Sequence, residues 1–445
     1  MPHTLKDVLP VTALVNEASH LEIGGCDTGE LAADFGTPLY VFCEETFRRR
    51  ARELRGAFPD ATLYFAAKAF PSRAVFQLTE QEGLGVDVAS GGELHTALAA
   101  GFPPERMILH GNNKADADIL RAVGAGVGRI ALDNIDDVER VSAAAVAAGR
   151  SQAVLLRVTP GVEAHTHTYI RTGQDDSKFG LSIETGLAMQ AAERAAQLPG
   201  LELLGVHAHI GSNIFSYDPF GKTVEILFEF LAAVEASLGL SFREMNLGGG
   251  IGIPYVAGDF PVRLDLLSKL VAETAQQEAA RHGMPPPRLA FEPGRFLVGN
   301  AMVTLYSVGV VKEIPGIRTY VSVDGGMSDN IRPALYQASY AALLANKARH
   351  EPSRLVTIAG MHCESGDILV RDVMLPATVE RGDLLAIPAT GAYGYSMASN
   401  YNRQPRPAVV LVRDGQAHPI IRRETLEDLL RLESPLPQSL GAPRP

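Results

Sequence analysis

The 445-residue chain is short of the features that mark several classes of protein. It has three cysteines, Cys26, Cys43 and Cys363, too few and too scattered for a disulfide framework, and no CxxC pair to suggest zinc. Positive charge is in deficit: 40 Lys and Arg stand against 51 Asp and Glu, a formal net charge of -11. That leaves no global basic field to draw in nucleic acid or an anionic membrane, and makes a small molecule the expected partner. The opening MPHTLKDVLPVTALVNEASH lacks a basic segment followed by a long apolar core, and no later stretch approaches the apolar run of a membrane span. A cytoplasmic protein is the expectation. No GxGxxG opens a helix after the first strand, and no HExxH occurs.

What the chain does have is alternation. From about Tyr40 to Asn300, eight short apolar runs, TLYFAAKA, GVDVAS, MILHG, RIALDN, AVLLRVTP, LELLGVHAHIG, EMNLGGG and RLAFEPG, are separated by segments long enough for a helix. Thr46–Phe58, Ser72–Gly83, Ile183–Leu198 and Leu264–His282 carry the helical period. Eight β-α units in one block predict a TIM (β/α)8 barrel over residues 41–300. Beyond it the runs AMVTLYSVGVV, TYVSVDGG, RLVTIAG, DILVRDVML, DLLAIPA and PAVVLVRDGQAHPII predict an all-β barrel or sandwich over 301–432, with a hairpin turn at Asp414-Gly415. Residues 1–40, with a Gly-rich turn at Ile23–Cys26, are expected to pair with that second domain. The Pro-rich 433–445 reads as a disordered tail.

A TIM barrel builds its site from the C-terminal ends of its strands, and polar residues interrupt the apolar runs there. Lys68 ends the first run, Asp87 and Ser90 the second, Arg157 the fifth, His207 and His209 the sixth, Gly248–Gly250 the seventh, and Glu292 to Arg295 the eighth. Lys68 lies between apolar and aromatic neighbours, so a partly desolvated amine suited to Schiff-base chemistry is expected; the alternative is a lysine snorkelling at the rim. Gly248, Gly249 and Gly250, with Gly294 and Arg295, allow backbone N–H groups and a guanidinium to approach a phosphate, although three glycines also suit a tight turn. Together with Lys68 they describe a cofactor that carries an aldehyde and a phosphate. Glu292 would then keep a pyridine nitrogen protonated; its alternative is a salt bridge to Arg295. His207 and His209 share one side of a strand at period two. A metal reading of them with His165 and His167 lacks an acidic cluster, and a flat imidazole on a cofactor ring suits the Gly211-Ser212 turn better.

FAAKA, DVASGGEL, HAHIGSN, NLGGGIG, EPGR, GGMSDNIRPALY, HCESGDIL and GAYGYSMASNYN follow one another in this order. From about residue 30 to 430 the chain resembles the fold-type III pyridoxal 5'-phosphate (PLP) decarboxylases and, within them, the diaminopimelate decarboxylases. The resemblance implies that Lys68 carries PLP, His209 stacks on its ring and Glu292 meets its nitrogen. It puts Ser212, Gly248–Gly250, Gly294 and Arg295 around the phosphate, Tyr393 over the site, and Asp87, Glu93 and Arg157 nearby. It makes Arg332, Tyr336 and Glu364, with Arg295 and Tyr393, the contacts of an amino acid substrate. It further implies a homodimer in which Cys363, the catalytic acid, and Glu364 complete the partner's site. Without the resemblance Cys363 reads as an inert thiol and Arg332 as a surface ion pair. The implied reaction is decarboxylation of meso-2,6-diaminopimelate to L-lysine, the last step of lysine biosynthesis. The alternatives are an ornithine, arginine or carboxynorspermidine decarboxylase, or a catalytically dead regulator; intact Lys68, Glu292 and Cys363 speak against the last. The polar loop Thr166–Gly180 is expected to serve as a lid or as support on the phosphate side.

Overall fold

The computed structural model describes residues 5–162 and 177–437. His165 and His167, the Thr166–Gly180 loop as far as residue 176, and positions 438–445 of the Pro-rich tail lie outside the described residues. Eight strands form the first body: β1 (Thr62–Ala66), β2 (Gly85–Val88), β3 (Met107–Leu109), β4 (Arg129–Leu132), β5 (Gln152–Thr159), β6 (Leu201–His207), β7 (Glu244–Asn246) and β8 (Arg288–Phe291). Around the wall they run β5-β6-β7-β8-β1-β2-β3-β4, all parallel, and β4 pairs back onto β5. The sheet is closed, so no open edge remains, and the expected TIM-type barrel is present.

Local chemistry ends each strand and starts the next helix. Ser72 caps Arg73–Gln81 by accepting from Val75 N, Ser90 caps Gly91–Ala99 by accepting from Glu93 N, and Asn134 caps Ile135–Ala147 by accepting from Asp137 N. These caps satisfy first-turn N–H groups that the helix itself cannot pair. The long helix Leu264–His282 stops at Gly283, whose left-handed φ of 65° suits a residue without Cβ.

Inside the barrel, Tyr64 on β1, Ile108 on β3, Leu155 on β5 and Ala290 on β8 pack with Leu204 into an apolar plug. Strand side chains alternate with period two, so the next inward positions, on the same strands or one residue past their ends, are 66, 110, 157 and 292. Ala66, His110, Arg157 and Glu292 all line the cavity above the plug. The alternation that fills the core thus also aims these side chains at the barrel mouth.

The second body is β-rich. Its sheet runs β12 (Ile368–Pro376), β11 (Pro352–Ala359), β10 (Arg318–Val323), β9 (Met302–Ile314), the strand Leu39–Cys43, β14 (Ala408–Arg413) and β15 (Gln416–Ile421), while β13 (Leu384–Pro388) also pairs with β9. Asp414 and Gly415 both have positive φ, 49° and 75°, as a two-residue hairpin between right-twisted strands requires. The N-terminal strands Leu14–Val15, Leu21–Ile23 and Cys26–Asp27 form a small sheet. Its Leu21 and Ile23 pack with Val303, Leu305, Val410 and Val412 of the second body. No helix among the described residues is long and apolar enough to cross a membrane.

Candidate active site

A cavity of about 590 Å³ opens at the C-terminal end of the barrel, walled by both bodies. The structure brings together there most of the residues singled out from the sequence: Lys68, Asp87, Arg157, His209, Ser212, Gly249 and Gly250 from the barrel, then Glu292, Gly294 and Arg295, and finally Arg332, Tyr336 and Tyr393. Cys363 and Glu364 are not among its lining residues; both are exposed.

Lys68 sits in a single turn, Ala67–Ala69, directly after β1. Its neighbours are buried, but the lysine is exposed where it lines the cavity, which corrects the expectation of a partly desolvated amine. Apolar flanks in sequence shield the backbone here, while the side chain leaves them for the open barrel mouth. The turn is tied to the second body, because Ala69 O accepts from Tyr393 N at 3.0 Å and from Ser396 Oγ at 3.1 Å.

Glu292 is 5% exposed and does not pair with Arg295. Its Oε1 accepts from His110 Nε2 at 2.9 Å and Asn246 Nδ2 at 2.8 Å, and its Oε2 from His207 Nε2 at 3.0 Å. Burial is the largest influence and works to raise the Glu292 pKa, yet its interactions with His110 and His207 hold it well below the ordinary carboxylate range. Burial pushes His207 down to about 4, so near neutral pH it is an uncharged donor. Among the described residues the potential metal-ligand atoms that cluster here belong to His110, His207 and Glu292, and they are engaged with one another. His209 instead accepts at Nδ1 from Gly249 N at 3.2 Å. Burial, then the charges of Lys68 and Arg157, lower its pKa well below the usual value, so its ring is neutral.

Other acids around the mouth are shifted upward. Asp87 is raised mainly by burial, and its Oδ1 is buried without a hydrogen-bond partner. Glu93, which accepts from Ala89 N at 2.7 Å, is pushed up to about 7, again chiefly by burial. Arg157 pairs with Asp133 at 3.2 Å and lies over the Phe179 ring.

Two other guanidinium groups are left in electrostatic want. Arg295 donates to Ser212 Oγ at 2.8 Å and to the Tyr255 hydroxyl, while its Nε is buried without a partner. Arg332, 6% exposed, donates to Tyr340 Oη at 2.5 Å and lies 4.7 Å from the Tyr255 ring. Among the described residues neither makes an ion pair. The glycine run gives the anion side its shape. A Cβ on Gly249 would stand 2.5 Å from Glu292 O, and Gly248 and Gly250 have φ of 65° and 103°.

Sequence reasoning passed over His110, Asn246, Tyr255 and Tyr340. His110 was open to detection, since it lies two residues beyond the plug residue Ile108, at the height where Glu292 follows Ala290. The two tyrosines carry no such periodic signal.

A closed parallel barrel with a lysine, a buried carboxylate and unpaired arginines at its mouth, roofed by a β domain, defines a decarboxylase of the pyridoxal-dependent class. The family described as pyridoxal-dependent decarboxylase, pyridoxal binding domain, matches residues 44–299. Diaminopimelate decarboxylase of Bacillus subtilis is 49% identical over 428 residues, 95% of this chain and 97% of the relative. That of Mycobacterium tuberculosis H37Rv is 44% identical over 440 residues, 97% of this chain and 98% of the relative. The crystal structure of the M. jannaschii diaminopimelate decarboxylase with L-lysine aligns at a TM-score of 0.90 and 34% identity, covering 97% of this chain and 99% of that one. The chain belongs to the diaminopimelate decarboxylase family.

Proposed function

We propose that this enzyme uses PLP, held through Lys68, to remove the carboxylate at the D centre of meso-2,6-diaminopimelate as CO₂, leaving L-lysine. The observation that carries the reading is the pair of buried guanidiniums, Arg295 and Arg332, which have no carboxylate partner among the described residues and line one cavity with an accessible lysine. A buried cation is costly until an anion meets it. Two such cations in one cavity fit a cofactor phosphate and a second carboxylate on the substrate. Ornithine offers no distal carboxylate and would leave Arg332 unanswered.

The residues present suit PLP on grounds internal to the structure. Arg295 with its orphaned Nε, Ser212 and the close-packed Gly249 and Gly250 make an anion cradle on one side. Lys68 supplies an amine, and Glu292 an ionised carboxylate fixed at the barrel axis. When bound, PLP supplies the electron sink that accepts the pair from the breaking Cα–carboxylate bond. Arg332, with Tyr336 beside it, grips the distal carboxylate, and that grip orients the reacting end. Neutral His209 offers a flat face toward the ring. Tyr393 stands over Arg295, with the guanidinium carbon 4.8 Å from its ring, and covers the phosphate side. Cys363 and Glu364 are exposed, and in a homodimer they reach the partner's cavity. There the Cys363 thiol delivers a proton to Cα, and Glu364 accepts the distal ammonium.

The test is direct. Purified protein with added PLP is assayed for lysine and CO₂ from meso-diaminopimelate and, in parallel, from ornithine, and borohydride is used to trap the cofactor. Lysine formation with the label on Lys68 is expected. A preference for ornithine overturns the substrate, and a label on another lysine overturns the cofactor site.

A further inference from the structure

Glu292 is braced from three strand ends at once, two on its own side of the barrel and one from across it. His110 follows β3, His207 ends β6 and Asn246 ends β7, and their side chains reach Glu292 beyond β8 at 2.9, 3.0 and 2.8 Å. A carboxylate has about four lone-pair sites. Two on Oε1 are taken by His110 and Asn246 and one on Oε2 by His207, which leaves one on Oε2. The orientation of the Asn246 amide is fixed independently, because its Oδ1 accepts from Gly248 N at 2.9 Å and its NH₂ must therefore face Glu292. His207 must carry its hydrogen on Nε2 to donate to a carboxylate, and its Nδ1 is buried with no hydrogen-bond partner among the described residues.

We infer that His110, His207 and Asn246 are positioning residues that hold Glu292 ionised and in one orientation, with a single acceptor site on Oε2 left for the protonated ring nitrogen of the cofactor. The inference rests on the PLP reading above. Its physical logic is a competition. Burial alone favours a neutral Glu292, and a neutral acid donates a hydrogen bond where an ionised one accepts it. Without the three donors, Glu292 would cease to keep the ring nitrogen protonated, and the electron sink would weaken although every group touching the substrate is intact. With all three donors gone the carboxylate would also be free to turn, since no other hydrogen bond among the described residues fixes which oxygen faces the cavity.

The ring nitrogen itself reports the outcome. Enzyme reconstituted with PLP carrying ¹⁵N in the ring should give a protonated-pyridine resonance in the wild type at neutral pH; an unprotonated resonance there overturns the inference without any variant. His110→Phe and His207→Phe keep the volume and remove the donor, and their resonance should move toward unprotonated pyridine. In both, kcat should fall by about 10- to 100-fold with little change in KM, the pattern of a loss felt mainly in the transition state. His207→Gln restores an N–H near Nε2, and should recover part of the protonated signal and part of kcat. If the Phe variants do not fold, His110→Gln and His207→Gln compared with His207→Leu carry the same readouts. A protonated resonance in donor-free variants overturns the inference. Failure of the wild type to take up PLP at Lys68 would instead remove the reading beneath it.

Discussion

At the scale of single residues, Arg332 is a buried cation that no carboxylate among the described residues answers. Its guanidinium is held by a tyrosine hydroxyl and two aromatic faces, which shape it but do not neutralise it. If Arg332 meets the distal carboxylate as proposed, Arg332→Ala removes a contact that only a substrate with such a group can use. A hydrogen bond to a charged group contributes about 1.5–3 kcal/mol, so the specificity constant for meso-diaminopimelate should fall by roughly one to two decades. PLP loading, followed by absorbance, should stay near that of the wild type. Unchanged turnover of meso-diaminopimelate by this variant would break the link between Arg332 and substrate choice.

At the scale of elements, what counts is the height at which each strand stops. Most strand ends are legible because the apolar run gives way to polar residues or glycines there, and the helical period alone bounds the helix Leu264–His282 as the structure has it. The helix expected from Ile183 instead begins at Leu187, since Gly186 takes a left-handed φ of 80° and the chain before it is still pairing with β5 at Leu181–Ser182. Strand register is the part a single chain hides. MILHG and EMNLGGG read alone are a strand with a terminal histidine and a strand with a glycine turn. Only the closed barrel brings His110 and Asn246 to the same carboxylate. The same closure makes Gly249 sensitive, because an added methyl would press on the Glu292 carbonyl of the adjacent strand, a backbone atom that cannot swing aside. Gly249→Ala should cost about 1–3 kcal/mol by overpacking and weaken PLP binding. Thermal melting and a cofactor titration measure the two effects, and wild-type values in both would mean that the contact relaxes freely.

At the scale of the molecule, the cavity carries a lysine, two carboxylates and three arginines, but Cys363 and Glu364 of the HCESGD segment stand exposed outside its lining. If two chains share their sites, Lys68→Ala and Cys363→Ala are each inactive alone, yet a mixed dimer contains one site with both residues intact. Mixing the two variants should restore activity in isolated heterodimers, and none there would mean that each chain completes its own site. One tie within the chain has a different consequence. The carbonyl of Ala69, next to Lys68, accepts both the Tyr393 amide and the Ser396 hydroxyl, so the turn that carries Lys68, the proposed cofactor anchor, is stitched to the roof of the cavity. If ligand binding and domain docking are linked through this tie, the linkage is reciprocal. Cofactor that tightens the Lys68 turn must slow the escape of the Tyr393 amide hydrogen to solvent, and loosening the roof must release cofactor by the same factor. Hydrogen exchange at that one amide, measured with and without PLP, reads the coupling directly; equal rates would mean that the barrel holds its cofactor without help from the domain above it.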